Sequence, residues 1–374
     1  MKYLCYMLGV LIVFPLKILS VGSVNYKFDE ILLVFIFVIL FCTRRIAFRP
    51  LVYCGLIFLY FAYGTLAILD SGLVTNYQVY FRLLQIVLII VVMSIMSDGE
   101  RVKMLNGIAS WGPVFALCIV FYLIFISGYS FDLLFGNQQY YKDFFNGENT
   151  FLSVHINTVG TILLLSIYLN LLKFQVTRNK VYILLSAIML LPSIMLLSKG
   201  DLLAILIASV FLCFSKLKIA YLFFVCLAAG GLIASYSLNF AEFDPTREAL
   251  YSTALQAFID NPYGYGIGTE RQVIFAYSGI NYPAHNFLLS AALEAGVLGV
   301  VFFLALILYS YRRNKDSVAR AFLIAFVVVG SFGNVMYFYK YHFVFFMIIT
   351  GFYDRVYCQA VALRVKASGA IGTH

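Results

Sequence analysis

Residues 285–309 read HNFLLSAALEAGVLGVVFFLALILY, a run in which Glu294 is the one charged side chain. About 20 consecutive apolar residues are needed for a helix to cross the ~30 Å hydrocarbon core of a bilayer, and this run has that length. Working outward from it, similar runs appear at 3–22, 28–43, 51–69, 74–97, 104–127, 153–172, 181–198, 202–215, 219–236, 318–337 and 341–358, the ones at 28–43 and 202–215 being short. The sequence therefore predicts an all-α polytopic membrane protein of about 12 transmembrane helices. Composition agrees: of 374 residues 63% are hydrophobic and 11% charged, where a soluble domain carries about 25% charged residues. A soluble enzyme is excluded. No polar stretch approaches the ~100 residues of a separate globular domain, so residues 1–374 are read as a single integral membrane domain.

The formal net charge of +9 would suggest nucleic acid if the basic residues were clustered. They lie instead in short loops between apolar runs, and no nucleic-acid partner is expected. With twelve crossings and the amino terminus inside, 18 of the 26 lysines and arginines fall on inward segments and 6 on outward ones, with Lys17 and Arg82 inside crossings. The inward bias of basic residues sets topology, so both termini are predicted to be cytoplasmic. The apolar run after Met1 and Lys2 is read as an uncleaved crossing rather than a signal peptide. The seven cysteines form no C-x-x-C pair and lie in or beside apolar runs, as small buried residues do.

Two outward segments exceed the ~12–15 residues of an ordinary connection. Residues 128–152 carry Phe135, Tyr140, Tyr141, Phe144 and Phe145; residues 237–284 form the longest hydrophilic stretch and are expected to carry active-site residues as a large periplasmic loop. Polar groups that lipid penalises and that share one side of the membrane are the candidates for chemistry. Here they are Lys199, Arg247, Arg271, His285 and Asn286. His155, Lys340 and His342 fall near the same face and read as interfacial residues.

The spacing His285-Asn286, nine residues, Gly296, two residues, Gly299, with Arg247 and the stretch Asn261-Pro262-Tyr263-Gly264-Tyr265-Gly266 before it, resembles the signature of the O-antigen ligase and polymerase superfamily. The resemblance covers residues 195–300 by motif and the whole chain by topology. It implies a GT-C-like glycosyltransferase in the bacterial inner membrane, with its active site facing the periplasm, acting on oligosaccharides carried by undecaprenyl pyrophosphate. It also implies that His285 activates the acceptor hydroxyl, and that Arg247 and the residue at position 199 hold the pyrophosphate. Lys199 stands where arginine is usual, and lysine keeps the charge without the planar two-pronged fork.

The residue types suit that chemistry. A departing pyrophosphate needs its growing negative charge neutralised by fixed cations, and a sugar hydroxyl needs a base with a pKa near 7, as histidine has. No D-x-D or paired-histidine pattern occurs, so the transfer is expected to be metal-independent, with no cofactor. Arg271, Arg82, Asn286 and Glu294 complete the set expected to contact pyrophosphate or sugar. Arg82 either lines the lipid-pyrophosphate cavity or snorkels to an interface, and Glu294 either orients a neighbouring helix or accepts from the acceptor sugar. Gly296 and Gly299 read as helix-packing positions.

The leading expectation is an O-antigen or related surface-polysaccharide polymerase, acting alongside a chain-length regulator. A ligase that moves finished O antigen to lipid A core is the alternative within the family. A transporter or flippase of lipid-linked sugars is the alternative outside it.

Overall fold

The computed structural model describes residues 1–21, 24–44, 48–73, 77–126, 159–195, 198–214, 245–313 and 316–332. The predicted crossings at 219–236 and 341–358, the aromatic segment 135–145, and His155, Lys340 and His342 lie outside them. The described chain is mostly helical: α1 (Lys2–Val13), α2 (Phe28–Thr43), α3 (Phe48–Ser71), α4 (Tyr77–Ile95), α5 (Asp98–Phe121), α6 (Val159–Thr177), α7 (Val181–Ile188), α8 (Leu191–Met195), α9 (Lys199–Phe214), α10 (Pro245–Asp260), α11 (Glu270–Ser278), α12 (Phe287–Arg313) and α13 (Ser317–Gly330). Among the described residues, three helical segments are long and apolar enough to cross a membrane: 98–126, in which a π turn extends α5, 159–177 and 287–312. Shorter apolar helices lie at Lys2–Val13, Cys54–Leu69, Val79–Ile95, Val181–Met195, Gly200–Leu212 and Ser317–Gly330.

The start of the chain departs from expectation. Instead of one crossing over 3–22, α1 stops at Val13, and Lys17–Val21 (β1) pairs antiparallel with Val24–Lys27 (β2). Pro15 offers no N–H and disfavours helical backbone at the residue before it; Phe14 sits at φ −103°, ψ 83°. Lys17 accordingly belongs to a strand and not to a crossing, and among the described residues a two-stranded sheet separates α1 from α2.

Helix starts follow local chemistry. Ser97 and Glu100 form a capping box on α5, the Glu100 carboxylate accepting Ser97 N–H at 2.9 Å. Asp316 caps α13 by accepting from Val318 N and Ala319 N at 2.8 and 3.1 Å. Basic residues assigned inward gather at two sets of helix ends. Arg44 bridges to Glu100 at 2.9 Å, and Arg101 to Asp98 at 2.9 Å. Elsewhere Lys173 lies over the Tyr182 ring and Arg320 over Tyr311, beside the Gln175–Asp316 hydrogen bond of 2.9 Å that ties the end of α6 to the start of α13.

At the other end of these helices, the start of α6 meets the start of α9: Thr161 Oγ1 donates to Asp201 at 2.8 Å and Ser198 Oγ to its other oxygen at 2.7 Å. Here too the hydrophilic stretch acquires structure. Leu250, Ala254 and Ala257 of α10 face Val273 and Ile274 of α11, and with Ala284 and Leu293 they make a small core separate from the main one. The spacing of 250, 254 and 257 is that of one helix face.

Candidate functional site

α12 is broken. Ala295 and Gly296 leave helical geometry, Gly296 at φ 58° and ψ −148°, a combination that suits glycine alone. A break exposes backbone donors and acceptors, and the glycine-rich stretch after α10 supplies their partners. Tyr265 N donates to Leu293 O at 2.7 Å, Gly266 N to Glu294 O at 3.0 Å, and Val297 N to Pro262 O at 2.9 Å. The fit is close. A Cβ on Gly264, itself at φ +90°, would lie 2.6 Å from Gly296 N.

Asn261 shapes the turn by accepting from Tyr263 N at 3.2 Å and donating to Gly264 O at 2.9 Å. Buried Glu294 secures the far side. Its carboxylate accepts Gly268 N at 3.0 Å and Tyr60 Oη at 3.2 Å, the latter from α3. The alternating glycines and Gly296 of the G-x-x-G are thus a docking interface between a loop and an interrupted helix, while Gly299 lets the second half of that helix close on Ala291 of the first, and Glu294 is bonded to protein groups on both sides of the interface.

That interface fixes the short first half of α12, and His285 and Asn286 stand at its head. Asn286 is the cap: its Oδ1 accepts Leu288 N at 3.0 Å and Leu289 N at 3.2 Å. Its Nδ2 reaches Ser331 O at 3.5 Å. His285, partly buried, has φ +52°, an uncommon conformation for a residue with a Cβ. Its ring lies 5.4 Å from that of Tyr282, and the Arg271 guanidinium is 5.8 Å from the same Tyr282 ring.

Ser331 and Phe332, just past α13, join the remaining parts. Ser331 O also accepts Tyr251 Oη of α10 at 2.9 Å. The Phe332 ring carries the Arg247 guanidinium at 5.6 Å and packs on Gly200, whose Cβ position would be 3.2 Å from it. Lys199 is the residue before Gly200 and the first of α9. Arg247, the Lys199 position and His285–Asn286 therefore converge around two residues, Ser331 and Phe332, which no motif in the sequence marks.

Arg82 goes elsewhere, donating to Glu30 of α2 at 2.9 Å and to Gln85 at 3.2 Å. Glu270 is another residue that no sequence motif marks. It is buried, and its Oε1 accepts Ala284 N at 2.8 Å and Ser290 Oγ at 2.7 Å. Burial pushes its carboxyl up, against the lowering pull of those two donors. A lone glutamate after a glycine run carries no signal in the sequence; its role depends on where Ala284 is folded back.

No protein-family model matches this chain, and no curated protein matches it. The functional reading therefore rests on the residues and their arrangement.

Proposed function

We propose that the chain is a membrane glycosyltransferase of GT-C-like fold, with about 12 crossings and both termini cytoplasmic, that polymerises O antigen or a related surface polysaccharide. The donor is a glycan on undecaprenyl pyrophosphate, and the acceptor is the non-reducing end of another lipid-linked repeat unit. The acceptor hydroxyl oxygen bonds to the anomeric carbon as the bond from that carbon to the pyrophosphate oxygen breaks. The electron pair leaves with the pyrophosphate and the hydroxyl proton passes to His285. Arg247 and Lys199 hold the pyrophosphate, and Arg271 assists. Fixed cations in a water-poor cleft stabilise the leaving charge at no reorganisation cost.

The observation that carries this reading is the convergence of Arg247, the α9 start at Lys199 and the His285–Asn286 pair around Ser331 and Phe332. Two cationic positions and an imidazole from three separate helix starts are the groups the reaction requires. A transport reading finds less support. Transporters leave the ends of broken helices open to substrate, whereas the α12 break is filled by the backbone of residues 262–266.

Deletion of the gene and gel analysis of surface lipopolysaccharide test the proposal. A single repeat unit on core is expected. Bare core with polymer retained on the carrier lipid would instead mean a ligase, and repeat units stranded on the cytoplasmic leaflet a flippase. Complementation with His285→Ala is expected to leave the deletion pattern unchanged.

A further inference from the structure

His285 occupies a left-handed backbone conformation (φ +52°) between two anchored neighbours. On its carboxyl side Asn286 is fixed by capping Leu288 N and Leu289 N. On its amino side the anchor is remote in sequence. Ala284 N, fully buried, donates to Glu270 Oε1 at 2.8 Å, and Ser290 Oγ, one turn into α12, donates to the same oxygen at 2.7 Å. One carboxylate oxygen thus spans the histidine, holding the residue before it and the helix after it. A non-glycine residue keeps such a conformation only where its surroundings over-determine it. The next residue of α11, Arg271, lies over Tyr282, whose ring also faces His285, so α11 fixes the histidine and its aromatic neighbour together.

We infer that Glu270 is a positioning residue for His285, setting where the imidazole stands relative to the acceptor hydroxyl without touching substrate. This inference rests on the polymerase reading of the site. Both donors meet one oxygen, so what the arrangement demands of Glu270 is an acceptor of the right length and not a negative charge. Glutamine can supply that acceptor through its carbonyl oxygen; alanine cannot.

The test is steady-state polymerisation by the purified full-length protein with lipid-linked repeat units, comparing wild type, Glu270→Gln, Glu270→Ala, Ser290→Ala and His285→Ala. Glu270→Gln is expected to keep turnover within about threefold of wild type. Glu270→Ala is expected to lower kcat at least tenfold with KM for the lipid-linked substrate within about twofold, because the pyrophosphate contacts stay in place. Ser290→Ala, which keeps the carboxylate and the fold while removing one of the two tethers, is expected to lower kcat severalfold, and it serves as the readout if Glu270→Ala fails to accumulate. Wild-type kcat in Ser290→Ala, or a Glu270→Gln enzyme as defective as one lacking His285, would overturn the inference. His285→Ala separates the two readings: full activity in that variant sinks the polymerase mechanism itself, whereas an inactive His285→Ala beside an unaffected Ser290→Ala sinks only the role of Glu270.

Discussion

Arg82 and Arg247 are both arginines placed by helices of an apolar chain, and each is held by a different kind of contact. Arg82 is locked to a carboxylate, Glu30, at 2.9 Å, with Gln85 taking a further N–H. Arg247 lies against the face of Phe332, its carbon centre 5.6 Å from the ring. An ion pair cancels the charge that it fixes. A ring face holds a guanidinium by its quadrupole and does not cancel its formal charge. The contrast is between an arginine that ties α4 to α2 through a carboxylate and one that stacks on an aromatic ring beside the start of α9, where the proposed function puts the pyrophosphate.

The largest effect expected from this contrast is on activity. Under the proposed function, Arg247→Ala should lower the rate of polymer formation per molecule of purified protein by roughly 10²–10³, the usual cost of removing one preorganised group that meets developing charge. Arg82→Ala should change that rate little and instead reduce the amount of folded protein recovered from membranes. Equal losses of specific activity in the two variants would erase the distinction. Arg247→Lys sharpens it: the charge remains and the fork goes, so an intermediate defect of about tenfold is expected in the same assay.

Next come the glycines that let the loop enter the broken helix. Gly264→Ala and Gly296→Ala each put a Cβ against backbone at a positive φ. Each should cost roughly 1–3 kcal/mol, read as a fall in the midpoint of thermal unfolding in detergent. Gly72 and Gly279 also have positive φ, but with open space around the Cβ position, and alanine there should cost less.

A smaller effect tests the Arg82 ion pair. Arg82→Met takes the cation from the buried Glu30 carboxylate, which keeps Lys27 N as a donor at 3.3 Å, so the double variant Arg82→Met with Glu30→Gln should be more stable than Arg82→Met alone. A coupling of about 0.5–3 kcal/mol in a double-mutant cycle is expected. Additivity would show that the pair is not the anchor described.

The smallest effect concerns pH. Burial raises the Glu270 carboxyl above its unfolded value, so the native state binds that proton more tightly. Its stabilising contribution is complete below the unfolded carboxylate pKa and is lost as pH rises through the raised native value. Resistance of residues 245–284 to limited proteolysis should therefore decline as pH rises above the ordinary glutamate value of about 4.3. Glu270→Gln should flatten that decline, and an unchanged slope would assign it to other groups.

The helices were legible in proportion to how far each is governed by its own apolar run. Residues 28–43 and 51–69 are helical as the sequence predicts, because burying apolar side chains and satisfying the backbone within one segment depend on local composition; of the run predicted over 318–337, the helix covers 318–330 and gives way to a turn at Ser331 and Phe332. Where a single residue overrides the run, as Pro15 does, the reading failed and a hairpin took the place of the crossing's second half. Residues 245–278 were read as a loop because their apolar positions are sparse. They fold into α10 and α11 because Leu250, Ala254 and Ala257 find Val273 and Ile274 across the glycine-rich stretch 261–269, a fact about pairs of segments that hydropathy along one segment does not contain.

At the site the division is similar. The sequence by itself determined the apolar helical character of the chain and the chemical types gathered before and at the head of the tenth run: a histidine, an asparagine, arginines and spaced glycines. Side-chain chemistry and local hydropathy are properties of the residues themselves. Only the tertiary structure decided that Asn286 caps a half-helix, that the glycines seat a loop in the break of α12, and that Phe332 brings Arg247 beside the start of α9. It likewise decided that Arg82 is joined to Glu30 and that Glu270 reaches around His285. Those partners are distant along the chain, and which of many compatible donors and acceptors meet is fixed by how the helices pack.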